Sequence, residues 1–161
     1  MLRTENNKII FHYDAEELWV EGWGENGLRV RATKNAQMPD EDWALNPSGR
    51  NAAETEQTED GAWIRNGKAE LFITNGGKIT VYDKNGKLLM EEYWRNRRDV
   101  TDRKCSAIEV EAREFRSNIG GDYHLTMRWE SLDKKEKLYG MGQYQQPYLD
   151  LKGLDIELTH R

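Results

Sequence analysis

The sequence predicts an all-β protein, an antiparallel β-sandwich, and three observations carry that prediction. Apolar and polar residues alternate with a period of two in several stretches, the spacing at which side chains share one face of a strand. Asn-Gly and Gly-rich tetrads separate those stretches, and such turns supply the positive φ that tight hairpins demand. The composition agrees: 37% of residues are hydrophobic and 33% charged, with six Trp and seven Tyr in 161 residues. Sheets with one wet face each give that mixture of aromatic and polar character. This length fits one domain or a piece of a larger one, and we read residues 1–161 as a single sandwich domain.

The elements follow in order. KIIFHY, ELWVEGW and LRVRAT read as three strands, the first two separated by Asp14-Ala15 and the last two by Gly24-Glu25-Asn26-Gly27. Residues 34–61 carry two prolines, Asn, Ser and many acids, which marks an irregular excursion. Within it Trp43 and Leu45 are expected to tuck onto the sheet, and residues 51–61 to be mobile or a short helix. KAELFITNGGKITVYDKNGKLLMEE reads as two successive hairpins turning at Asn75-Gly76-Gly77 and at Lys84-Asn85-Gly86-Lys87. Ala69, Leu71 and Ile73 share a face, as do Ile79 and Val81. SAIEVEAREFRS alternates through Ile108, Val110 and Ala112, and Phe115 then falls on the opposite parity. A strand with a bulge accounts for this, and a helix is the other reading. DYHLTMRWE is the clearest alternation, with Tyr123, Leu125, Met127 and Trp129 on one side. SLDKKEK suits a single helical turn capped by Ser131.

Charge and composition exclude several function classes. A net charge of −5 without a basic stripe argues against nucleic acid. Arg95, Arg97, Arg98, Arg103 and Lys104 cluster, but Asp99 and Asp102 interleave them as in a solvated loop. Cys105, the single cysteine, rules out an intrachain disulfide and suits a reducing compartment. No apolar run approaches the ~20 residues of a membrane span, and MLRTENNKIIFHYD has no signal-peptide core. The expectation is a cytoplasmic chain with neither membrane nor nucleic acid as partner.

No self-contained chemistry is legible either. There is no G-x-S-x-G elbow, and His12, His124 and His160 lie far apart in sequence. Neither H-x-x-x-H nor C-x-x-C occurs, so no metal is expected. Gly140-Met141-Gly142 lacks the third glycine of a dinucleotide loop, so no cofactor is expected. Acidic pairs such as Asp40 and Asp42 could act as acid and base, but 29 acidic residues produce such pairs by chance. The tail differs: Gln143, Tyr144, Gln145, Gln146 and Tyr148 combine amides with flat rings, as sugar sites do. A polar loop of no such purpose explains them equally well.

KLYGMGQYQQPYLDLKGLDIELTHR resembles the segment that precedes the catalytic barrel in glycoside hydrolase family 31, which includes α-xylosidases and α-glucosidases. Tyr139, Gly140, Met141, Gly142 and Gln143 stand in that family's Tyr-Gly-Leu-Gly-Glu/Gln turn, and Gly153, Glu157 and Leu158 in its later strand. Thr159 stands where many members have Trp. Gln143-Tyr144-Gln145 is most similar to the α-xylosidase branch. LRVRAT and the pair GKAELFI and ITVYDKNGKLLMEE also resemble the family's early strand and hairpin.

The resemblance implies a galactose-mutarotase-like N-terminal β-sandwich, cut near its C-terminal end, that buttresses a (β/α)8 barrel and shapes its sugar entrance. A barrel needs ~250 residues, so the Asp nucleophile and Asp acid of a retaining α-glycosidase would lie outside this chain, which alone is expected to be inactive. The partners implied are an α-linked xyloside or glucoside and the barrel. Gln143, Tyr144, His160 and Arg161 are the substrate-binding candidates, with a loop-stabilising or interdomain role as the competing reading of the first two. A stand-alone carbohydrate-binding sandwich is the alternative function. Unpaired strand edges predict self-association into a homo-oligomer.

Overall fold

The structure, a computed structural model, describes residues 1–39, 41, 45, 49–97, 100–140 and 147–156. It comprises two compact units, Met1–Glu130 and Ser131–Arg161. Among the described residues every strand falls in the first unit and no α-helix occurs.

One sheet is the antiparallel meander β1(Leu2–Glu5), β2(Lys8–Tyr13), β3(Glu16–Trp23) and β4(Gly27–Thr33), with β5(Arg50–Asn51) pairing the far end of β3. The second runs in the order β10(Leu88–Glu91), β9(Ile79–Asp83), β8(Ala69–Thr74), β7(Gly61–Asn66), β6(Glu54–Gln57). The hairpin β11(Arg113–Ser117) and β12(Tyr123–Met127) stands beside them. β12 continues past its last ladder pair: Glu92 and Trp129 form a bridge, and Glu130 N donates to Glu91 O at 2.8 Å.

The register explains the core. Ile9 opposes Val20 and Phe11 opposes Leu18, so these four share the inner face of the first sheet. Ala62, Ile64, Leu71, Ile73 and Ile79 of the second sheet meet them, and every one of the nine is at most 3% exposed. The outer face of the first sheet is polar but not idle: Lys8 Nζ lies 3.5 Å from the Trp19 ring centroid and the Arg31 guanidinium 5.1 Å from it. Asn66, 5% exposed, ties the sheets together at one end. Its Nδ2 donates to Gly24 O at 2.9 Å and Gly27 O at 2.8 Å, fastening the β3–β4 turn to the end of β7.

The three early strands and both Asn-Gly hairpins stand where the sequence puts them. Four local expectations change. Residues 51–61 form no helix but carry the end of β5, β6 and the turn into β7, with Glu54 opposing Arg65 and Gln57 opposing Ala62. β6 is an edge, where polar side chains are tolerated because the ladder supplies the hydrogen bonds. Leu45 is 40% exposed rather than tucked onto the sheet, and Trp43 lies outside the described residues. Residues 106–112 form no helix and no bulged strand: only a bridge from Val110 to Arg95 precedes β11, whose pairing with β12 is regular. Ser131 caps no helix. In the second unit Asp133 makes the turn instead, accepting from Lys135 N at 2.8 Å.

The second unit is held by polar contacts of its own. Lys152 Nζ reaches Asp133 O at 2.7 Å and Glu136 Oε2 at 3.0 Å, and Leu138 N donates to Asp150 Oδ1 at 3.1 Å.

Candidate functional site

A cleft of about 490 Å³ opens in the first unit, within the size range of small-molecule sites. The end of β2 contributes Phe11, Tyr13 and Asp14, the start of β3 Glu16, and the residue after β4 Lys34. The β8–β9 turn adds Asn75–Lys78, the segment after β10 Trp94 and Asn96, and the run into β11 Glu109, Glu111, Ala112 and Arg113. Asp102 completes the lining.

The turn is fixed in place. Asn75 Nδ2 donates to Glu59 O at 2.7 Å, and Lys78 N donates to Thr74 Oγ1 at 3.1 Å. Gly77 has φ of +86°, and a Cβ there would stand 2.5 Å from the Phe11 ring, so only glycine closes this turn without strain. Trp94 packs over Gly76, with Cη2 3.0 Å from where a Cβ would stand.

A buried charge cluster forms one wall. The Arg113 side chain is 5% exposed and Glu92 1%. Arg113 Nε donates to Glu16 Oε1 at 2.7 Å, Nη1 to Glu92 Oε1, and Nη2 to Gly77 O at 2.7 Å. Glu92 Oε2 accepts from Ile79 N at 2.7 Å. Burial pushes the Glu92 carboxyl above its ordinary range, with Arg113 pulling against it. Beside this cluster, Glu91 accepts from Lys78 and from Lys104, the latter at 2.7 Å, while Arg95 and Lys104 pair with Glu130. Burial raises Glu91, but its two lysine partners outweigh that and hold it low. Glu130 is held low first by its hydrogen bond from Arg95.

Of the residues singled out in sequence, Gln143, Tyr144, His160 and Arg161 lie outside the described residues. Tyr139 and Tyr148 are 60% and 61% exposed in the second unit. His12 and His124 are exposed on their strands, and Cys105 is a free, half-buried thiol. No group of three metal-ligating side chains occurs among the described residues. Sequence reasoning missed Trp94, Tyr13 and the Glu92–Arg113 pair. The signal for Arg113 was the parity break before Phe115: Arg113 and Phe115 share a face through their partners Met127 and Leu125. A pattern that reads charge as outward cannot place an inward arginine.

Comparison with known proteins gives this architecture its context. A profile describing the glycosyl hydrolase 31 N-terminal galactose mutarotase-like domain matches residues 17–160. An uncharacterized family 31 glucosidase from Pseudescherichia vulneris is 39% identical over 163 aligned positions, which take in 96% of this chain and 31% of that protein. A crystal structure of a GH31 α-xylosidase from a soil metagenome, complexed with xylose, superposes with a TM-score of 0.89 at 39% identity, over 100% of this chain and 25% of that one. The chain thus spans about a third and a quarter of the lengths of these two relatives. Two antiparallel sheets enclosing one core, matched along nearly the whole sequence, place it plainly: the chain belongs to the family of glycosyl hydrolase 31 N-terminal galactose mutarotase-like domains.

Proposed function

We propose that this chain is the non-catalytic N-terminal sandwich of a retaining α-glycosidase acting on terminal α-linked xylose or glucose, and that it supports the catalytic barrel and shapes the approach to it. The observation that carries the reading is full-length agreement with one quarter of an α-xylosidase chain. The hairpin β11–β12 suits the supporting role. Tyr123, Leu125, Met127 and Trp129 are each 37–44% exposed along one side, while Arg128 and Arg116 neutralise Glu114 on the other at 2.7 and 3.0 Å. Arg113, paired across from Met127, is buried at the inner end of that side, while the row itself stays partly open, an exposed apolar strip suited to being covered; we assign its cover to the further polypeptide of the longer relatives. We assign Gln143 and Tyr144, which follow Gly142 in sequence, to the sugar's entrance.

The test is the source gene read and expressed beyond codon 161. The longer product should release nitrophenol from an aryl α-xyloside or α-glucoside, the 161-residue chain should not, and Gln143→Ala in the longer product should raise KM more than it lowers kcat. The chain alone should self-associate through its uncovered row. Turnover by the chain alone, or a frame that stops at Arg161, would overturn the proposal.

A further inference from the structure

The cleft between β2, the β8–β9 turn and the start of β11 has no part in the reading above, and its chemistry points to a class of ligand. Three cations line it, and each already has a carboxylate: Lys34 stands 3.7 Å from Asp14, Arg113 donates to Glu16 at 2.7 Å, and Lys78 pairs with Glu91. Among the described lining residues no cation lacks a carboxylate within 4 Å, which disfavours a phosphate or a carboxylate as the ligand. Of the remaining acidic groups, Glu109 stands 3.6 Å from Arg97, while Asp102 keeps its charge and is held by neutral donors, Asn96 Nδ2 at 3.2 Å and Lys104 N at 2.9 Å. What remains is acceptor capacity on carboxylate oxygens, together with the rings of Trp94 and Tyr13, the latter 64% exposed. The Glu111 carboxylate has no ion pair or hydrogen bond among the described residues.

We infer that this cleft is a saccharide-binding site. A pyranose is neutral, offers several hydroxyl donors to carboxylate acceptors, and turns apolar C–H faces that stack on indole and phenol rings. The walls are set before any ligand arrives: Phe11, Ala112 and Arg113 are each at most 7% exposed, and Gly77 pins the turn against Phe11. A preformed site loses little ordering entropy on binding. The cleft's own chemistry carries the inference; only the choice of α-linked xylose and glucose as probes rests on the glycosidase reading.

The experiment is an NMR titration of the 161-residue chain with methyl α-D-xyloside and methyl α-D-glucoside, following the Trp94 indole N–H and the Gly76 and Gly77 amides. A ligand of this size should bind with Kd on the order of 1–10 mM, and these signals should shift saturably. Tyr13→Ala and Glu111→Gln, both at the solvent-facing lining, should each weaken binding about tenfold, the worth of one stacking or charged hydrogen-bond contact. Shifts that stay linear to roughly 100 mM, or affinities unchanged in both variants, overturn the inference. So does tighter binding of arginine methyl ester than of either glycoside, which would make the cleft a seat for a cationic side chain. Binding is read here without turnover, so this result and that of the glycosidase test are independent.

Discussion

Replacing Arg113 by Met removes the one cation in the buried cluster and leaves its shape roughly filled. Glu92, 1% exposed on its side chain, would then face an apolar interior with only Ile79 N at 2.7 Å as a partner. Glu16, 13% exposed, can turn to water and matters less. Gly77 O also loses its donor. Breaking a buried pair from one side costs about 3–5 kcal/mol. With urea m-values of about 1–3 kcal/mol/M, a loss of 3 kcal/mol lowers the midpoint by roughly 1–3 M.

The pH dependence separates this mechanism from simple loss of packing. Burial already raises Glu92 above its reference value of 4.5, and Arg113 opposes that rise. Without Arg113 the folded pKa climbs further. A group whose folded pKa is raised contributes stability below its unfolded pKa and loses it as pH rises through the folded one. In that window the native state holds one more proton than the unfolded chain, so unfolding free energy falls by about 1.4 kcal/mol per pH unit. The gap between wild type and Arg113→Met should therefore widen from about pH 5 to about pH 7, as read by urea titration of tryptophan fluorescence. Arg113→Met/Glu92→Gln should close most of the gap and abolish its pH dependence. A gap of the same size at both pH values, or one below about 1 kcal/mol, would mean that an unpaired Glu92 is not what destabilises the variant.

Asn66→Ala removes a donor from Gly27 O and leaves Gly24 O with Asn51 Nδ2 at 3.2 Å; it should cost about 2 kcal/mol, lowering Tm by roughly 4–8 °C in a thermal melt followed by circular dichroism. Gly77→Ala and Gly86→Ala form a matched pair. Both positions have positive φ, +86° and +76°, but the first Cβ would meet Phe11 at 2.5 Å and the second meets nothing within 4 Å. Gly86→Ala should cost about 1 kcal/mol and Gly77→Ala at least twice that by the same titration. Glu130→Gln should show the opposite pH sense to the Arg113 variant. Glu130 is held low by its hydrogen bond from Arg95, so the stability it contributes is present above its unfolded pKa and lost on acidification. The gap from wild type should shrink as pH falls through about 4.

The hairpins were legible because their turns announce themselves. Asn85-Gly86 closes β9 onto β10 with Asp83 Oδ1 accepting from Asn85 N and Lys87 N at 2.8 and 2.9 Å, and alternation on both sides fixed which residues face the core. β1 escaped notice because its turn is Asn6-Asn7, with φ of 50° and 59°, a pair that reaches the left-handed region without glycine. β6 escaped because Glu54, Glu56 and Gln57 are exposed and Thr55 half-buried, so its strand character lies in the ladder and in the Arg65–Glu56 pair at 2.8 Å, neither of which is a sequence period. The tail motif pointed to the family, yet Gln143 and Tyr144 within it lie outside the described residues. The cleft was not legible at all. Its lining comes from positions as far apart as Phe11 and Arg113, and no local window brings these together.

Arg113 shows why a site of this kind sits where the pattern fails. One guanidinium fastens the first strand of the hairpin to Glu16 at the head of β3, to the carbonyl of Gly77 and to Glu92 beyond β10. An apolar side chain could fill the same volume, but it would slide, because dispersion has no direction. The fork of the guanidinium does not slide: moved by a fraction of an ångström along the strand, it loses bonds to three separate elements at once. The charge cluster therefore sets the hairpin's docking against both sheets at some cost in desolvation. The same constraint holds the cleft wall still. Arg113→Met/Glu92→Gln removes both charges and tests the two roles together: stability should return in large part, while the Gly76 and Gly77 amides should broaden and glycoside binding should weaken, because the wall no longer has a single position. Recovery of stability with unchanged amide signals and unchanged binding would mean that packing alone fixes the cleft.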